Sequence, residues 1–289
     1  MPIALKIEAR DFYRDMPSLD HETGDIWHHL PGFGLPHDIT TTAIVISPAC
    51  DLSQKKSETA TFIPIVSIRD YLYSKSFYSE IWNEFSSRLK AYGADAPPDR
   101  FSHPPIQLLE RAIQALEGDQ KQTDFRARII KYSEYIKYTE TPPAERSEYR
   151  PTIESILTEK KLTELLKKIF SNSYKSDIHF FPAHKISSNF APIPEHSVAL
   201  FRYVYSIPLE ILENAQCSRE EWWSQDCMRM TGRTPLIEHF EKYPIKVSRL
   251  KDDFLTDLLS RYLGMFMRLG SRDFTKITIE KFATEMKGL

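Results

Sequence analysis

Cysteine and glycine are the scarce residues of this chain. It has 3 cysteines in 289 residues, Cys50, Cys217 and Cys227. That is too few, and too odd a number, for a disulfide framework, so the expected setting is a reducing cytoplasm. There are 9 glycines against 19 prolines. Folds that cradle phosphates need glycine-rich turns for close backbone approach. Neither GxGxxG nor GxxxxGKS/T occurs, which argues against a dinucleotide-binding dehydrogenase and a P-loop NTPase. HExxH, CxxC and GxSxG are also absent, so the common zinc-protease, zinc-ribbon and hydrolase signatures fall away. No long uncharged apolar run is present, and no membrane span is expected. The first residues turn charged too early for a signal peptide. An excess of one charge is lacking as well. Lys and Arg number 38 against 40 Asp and Glu, a net charge of -2. A protein that coats DNA usually carries a strong basic excess. The composition is otherwise that of a folded domain, with 41% hydrophobic and 12% aromatic residues.

The chain alternates between two kinds of periodicity. Residues 20–72 read as β-structure. Gly24-Asp25-Ile26-Trp27 opens a strand, Thr41 to Ser47 is a β-branched run stopped by Pro48, and Thr61 to Ser67 is another. Pro64 inside the last run predicts an edge strand or a bulge. Residues 73–175 read as helical, with four helices, the third spanning about 123–138, and breaks at Pro97-Pro98 and Pro142-Pro143. Ile178 to Phe181 and Ser197 to Tyr205 return to β-structure. Helical signals resume after Pro208. They include a capping box at Ser218 and Glu221 and an N-cap at Thr234 before Pro235. One long amphipathic helix is predicted through Val247, Leu250, Phe254, Leu258, Tyr262, Met265 and Leu269, ending at Gly270. Neither β region suffices for a sheet alone, so the two are expected to combine. The expected class is α+β: a barrel of about five strands from 1–72 and 176–207, a helical insertion at 73–175, and a helical C-terminal region at 208–289.

Gly24-Asp25-Ile26, Ala43-Ile44-Val45-Ile46-Ser47-Pro48 and Phe62-Ile63-Pro64-Ile65-Val66-Ser67 together resemble the MazF/PemK toxin family. The resemblance covers residues 24–68. It implies an SH3-like barrel and a metal-independent endoribonuclease of toxin or antiphage-defence type. Ser67 stands at the family's Ser/Thr position, with Arg69 beside it. The loop at 28–41, where the family places a phosphate-binding arginine, holds no Arg or Lys, but His28, His29, His37 and Asp38. Ser-Pro-x-Cys-Asp-Leu, at residues 47–52, is not part of the toxin pattern. It resembles a segment of uncharacterised bacterial proteins that carry no assigned activity.

RNA cleavage without metal needs a base, an acid and a cation for the phosphorane. The candidate catalytic set is Asp51, Ser67, Arg69 and a loop histidine, His37 foremost; His28 and His29, adjacent in a strand, are expected to face opposite ways. Cys50 is a candidate nucleophile if His184 or His37 lies beside it, and otherwise a small buried residue. Lys160, Lys161, Lys167 and Lys168, seven residues apart on one helix face, form a candidate phosphate-binding patch together with His28. Trp222 and Trp223 are candidates for base stacking or for the core. Cys217, Cys227 and His239 have the wrong spacing for zinc. No metal or cofactor is expected. The expected partner is RNA or a protein, such as an antitoxin or a defence-complex subunit, with a homodimer compatible and a membrane not. The competing reading is a non-catalytic module that binds protein or nucleic acid.

Overall fold

The structure is a computed structural model. It describes residues 7–267 apart from 16, 33–34, 36–40, 94–98, 100–101, 143–144, 147–150, 152, 154–155, 188–189, 231 and 233, and the side chains of Ser76 and Trp222. Its centre is an antiparallel sheet of eight strands: β1 Tyr13–Arg14, β2 Asp25–Leu30, β3 Thr41–Val45, β4 Thr59–Ser67, β5 Ile178–Phe181, β6 Ser197–Leu200, β7 Tyr205–Pro208 and β8 Ile245–Leu250. The helices are α1 Ala49–Ser53, α2 Ile68–Tyr71, α3 Lys75–Leu89, α4 Ile106–Ala115, α5 Thr123–Glu140, α6 Glu159–Phe170, α7 Leu209–Cys217, α8 Trp223–Met230 and α9 Asp252–Phe266. None of them is long and apolar enough to cross a membrane. The α+β expectation holds, and the described residues of 73–175 form four α-helices, with α5 where the third was expected.

The strand order is β1-β8-β2-β3-β4-β6-β5, with β7 paired to β4 off this path. Both faces of the sheet are covered, which explains why its strands read as unbroken apolar runs. Alternate residues enter different cores. Ile26, Ile44, Ile63 and Val247 pack with Leu255 and Leu258 of α9. Trp27, Val45, Phe62 and Ile207 pack with α7 and α8 through Ile211, Leu212, Trp223 and Met230. The inserted helices form a third core, joined to the sheet by Ile178, Val198 and Leu200.

The sheet is not a closed barrel. It curls until its two ends touch through side chains: the Tyr13 hydroxyl donates to the Pro182 carbonyl at 2.7 Å, and His184 meets Asp15 at 2.6 Å. No ladder joins β1 to β5. β1 has only two residues, and the Phe180 N–H of β5 is already taken by Asn172 Oδ1 at 2.7 Å.

Pro64 lies in a central strand, not at an edge. β7 pairs with Thr59–Phe62 and β6 with Ile65–Ser67, so the missing N–H falls in the gap between the two partners. The helix predicted from Val247 begins only at Asp252, because Ile245–Leu250 is the strand β8 between β1 and β2. Its β-branched Ile245 and Val247 suit a pleated sheet, and Asp252 and Asp253 suit the positive end of α9. Leu269 and Gly270 lie outside the described residues. The capping box at Ser218 does not form: that hydroxyl bonds to Asp226, and Arg219 precedes the next helical turn. Thr234 does precede Pro235, but it opens a 3-10 turn, and its hydroxyl donates to Glu210.

Candidate functional site

The structure does not bring the expected catalytic residues together. β3 and β4 are antiparallel, with Val45 opposite Phe62 and Thr42 opposite Ile65. Cys50 and Asp51 follow the end of β3, beside the start of β4. Ser67 and Arg69 stand at the opposite end of β4. Five strand residues from Phe62 to Ser67 span about 17 Å. Cys50 is exposed, and among the described residues its side chain meets only Asp51, at 3.6 Å. The histidine proposed for it, His184, is bound to Asp15 and bridged to Ile193. His37 lies outside the described residues.

Ser67 caps α2. Its oxygen accepts from the Asp70 N–H at 3.0 Å, and its hydroxyl donates to Asp70 Oδ2 at 2.8 Å. Arg69 is exposed, with no side-chain partner among the described residues. His28 is half-buried and donates from Nε2 to the Pro192 carbonyl at 2.7 Å; burial holds its pKa below the ordinary value. His29 takes φ +61° and donates from Nδ1 to Tyr243 O at 2.7 Å. The ladder shifts register here, and the two rings lie 6.1 Å apart instead of on opposite faces. Lys160, Lys167 and Lys168 are exposed on α6, while Lys161 is paired to Glu84. Trp223 is buried edge-on against Phe240 and Tyr243, so it offers no face to a base.

What the fold does build lies at the Asp51 end of the sheet. A cleft of about 550 Å³ opens between the loop into β4 (Lys55, Ser57, Glu58), the start of α7 (Pro208, Leu209, Glu210, Glu213) and Thr234 to Leu236. Among the described residues its lining includes Glu58, Glu210, Glu213 and Lys55. Lys55, at φ +52°, reaches Glu213 at 2.8 Å. Glu210 accepts from the Thr234 hydroxyl at 3.0 Å.

The segment before β2 is pinned by a buried ammonium. Lys246 Nζ donates to Ser18 O at 2.9 Å, Asp20 O at 2.7 Å and Asp25 Oδ2 at 3.0 Å, with its side chain 4% exposed. It also lies 5.7 Å from the Trp27 ring centre. Asp25 is fully buried. Burial raises its pKa, and Lys246 opposes that rise. Its Oδ2 also accepts from the Glu22 N–H, but Oδ1 has no partner. His21 is 8% exposed and stacks near Trp27 with both ring nitrogens unpartnered. Burial first, and then Lys246, lower its pKa to about 4, whereas Glu213 and Asp20 raise it. The ring is therefore neutral at pH 7. Buried polar atoms without partners are uncommon in folded proteins and mark places where water or a ligand completes the bonding.

This arrangement holds acceptors: carboxylates and a neutral imidazole. It contains no paired nucleophile and base, and no group of three metal-ligating side chains occurs among the described residues. In the sequence Asp25 marks the opening of a strand, but nothing there singles out His21, Glu58, Glu210 or Glu213. Their spacing carries no local signal, since the cleft joins segments about 150 residues apart. No family model matches the chain, and no curated protein or solved structure matches it either.

Proposed function

We propose that this chain is a non-catalytic binding module for a protein partner, built on a curled sheet related to the SH3-like barrel. The separation of Asp51 and Cys50 from Ser67 and Arg69 carries the reading. General acid–base cleavage needs its groups within hydrogen-bond reach of one phosphate, and a gap of about 17 Å along the strand is several times that reach. The histidines point the same way. His28 and His29 spend ring N–H groups on backbone carbonyls, and His21, His103 and His179 are buried with pKa values near 4.

One observation favours a second reading, the metal-independent endoribonuclease. Arg69 stands exposed beside Ser67 with no side-chain partner among the described residues, at the end of the sheet where β2 ends and β3 begins. A single assay separates the two. Purified full-length protein is incubated with end-labelled RNA in the presence of a chelator. No cleavage is expected. Cleavage that disappears in Arg69→Ala overturns the module reading.

A further inference from the structure

We infer that the partner protein docks at the Ser67 end of the sheet, presenting an acidic segment whose aromatic anchor seats on Phe170, Phe180 and His196. The inference rests on the module reading above. The three rings come from the end of α6, from β5 and from the lead into β6, with centres 5.0, 5.6 and 5.7 Å apart. Phe170 is 42% exposed and His196 is exposed, while Phe180 packs against the core of the inserted helices. The rings are held by backbone bonds. Asn172, just after α6, accepts from the Phe180 N–H at 2.7 Å and so ties the end of α6 to β5. The Ala183 N–H donates to His196 Nδ1 at 3.0 Å. Groups already held in place cost little further ordering on binding.

Charge complementarity names the occupant. With Nδ1 accepting, the His196 ring carries its proton on Nε2, and that N–H has no partner among the described residues. Lys167, three residues before Phe170, lies on the same face of α6. Arg69 follows Ile68, whose N–H donates to the His196 carbonyl at 2.9 Å. Lys167 and Arg69 are exposed, and neither has a side-chain partner among the described residues. Two cations and a fixed N–H donor thus border an aromatic surface. A segment that carries carboxylates around one aromatic side chain has the matching form. A nucleic-acid strand matches less well. The rings are tilted at 54°, 55° and 43° to one another, so they do not present parallel faces to successive bases. Exposed Glu164 and Glu195 also interrupt the basic track that a phosphate backbone follows.

The test measures binding of a short fluorescein-labelled peptide, one phenylalanine among glutamates, to the full chain by fluorescence anisotropy. The same peptide with alanine for phenylalanine and a single-stranded RNA serve as comparators. The phenylalanine peptide is expected to bind more tightly than either. Phe170→Ala, at a ring exposed enough for the variant to fold, is expected to weaken it about tenfold, the size of a partly buried aromatic side chain. Lys167→Met and Arg69→Ala are each expected to weaken it several-fold. Lys56→Met removes the same charge at the other end of the sheet and is expected to leave binding unchanged. Unchanged binding in Phe170→Ala, equal binding of the alanine peptide, or equal weakening by Lys56→Met and Lys167→Met overturns the inference, because each reduces the effect to general surface charge. No peptide binding, with the RNA neither bound nor cut, overturns the surface assignment and leaves the module reading standing. RNA bound more tightly than the peptide and released in Phe170→Ala, or RNA cut by the wild type and spared by Arg69→Ala, overturns the module reading itself.

Discussion

Gly24→Ala tests the joint on which the sheet is strung. Gly24 sits at φ +91°, its N–H bonded to Val45 O at 2.9 Å and its carbonyl accepting from the Leu250 N–H at 2.9 Å. It thereby ties the entry of β2 to both neighbouring strands. An alanine in the left-handed region costs roughly 1–2 kcal/mol. Its Cβ would also stand 3.1 Å from Leu255 Cδ2 and 3.4 Å from Leu250 O. Overpacking of that kind adds roughly 1–3 kcal/mol. The smaller entropy of the unfolded alanine chain returns about 0.5 kcal/mol. The expected net loss is about 2–4 kcal/mol, a large part of a typical domain's stability. Gly93→Ala is the internal control, because Gly93 has φ +75° and nothing within 4 Å of a built Cβ. It should cost only the backbone share, about 1 kcal/mol. Urea unfolding followed by far-UV circular dichroism reads both variants. A double-mutant cycle with Leu255→Ala should recover part of the loss as coupling, since that change removes the crowded methyl. If the two glycine variants agree within about 0.5 kcal/mol and the cycle shows no coupling, the packing argument is wrong.

Further outcomes follow from the helical insertion. Glu84, 8% exposed, bridges Arg128 and Lys161, and so joins α3, α5 and α6. Glu84→Gln strands a partly buried guanidinium and should cost about 3 kcal/mol in urea unfolding at pH 7. Burial alone would raise the Glu84 pKa, but hydrogen bonds from Lys161 and Arg128 outweigh burial and hold it below the ordinary value. Its contribution is thus present above the usual glutamate pKa and lost as pH falls through the lower folded value. The gap between wild type and variant should narrow as pH falls below the usual glutamate pKa of about 4.3; a gap constant down to pH 3 would sink the argument. His103 stacks on Tyr78 at 3.6 Å and is 9% exposed, and burial lowers its pKa from 6.5 to about 4. Stability from the neutral ring is present above pH 6.5 and lost as pH falls through 4, about 3 kcal/mol in all. His103→Leu should therefore lose less stability than wild type between pH 7 and pH 4. Equal losses would show that the ring titrates normally.

Local signals were good guides wherever a segment's environment was uniform. The helix Thr123–Glu140 was legible because its apolar residues repeat over nearly five turns, and β3 because a β-branched run stops at Pro48. β8 was not legible. Val247, Leu250 and Phe254 fit a helical stripe, and only pairing with β1 and β2, two hundred residues earlier, selects the strand. Pro64 misled for a similar reason. A proline belongs at an edge unless a second strand takes over the pairing, and that handover from β7 to β6 is decided by residues 197–208.

The distance between the motifs around Cys50 and Ser67 is a point of geometry that the sequence leaves open to argument. Residues 46–58 join β3 to β4 with one short helix, so the two strands must run side by side in opposite directions. Ser47-Pro48-Ala49-Cys50-Asp51 leaves the end of one strand, and Ser67-Ile68-Arg69 the end of the other. In an antiparallel neighbour pair two such ends lie a strand length apart, so the motif around Cys50 and the motif around Ser67 serve different faces of the molecule. Whatever Cys50 and Asp51 do is done beside the acidic cleft. Arg69 stands at the far rim, beside the end of β2 and the start of β3. The RNA assay above interrogates the Arg69 rim, and the antiparallel register requires Asp51→Asn to leave its outcome unchanged.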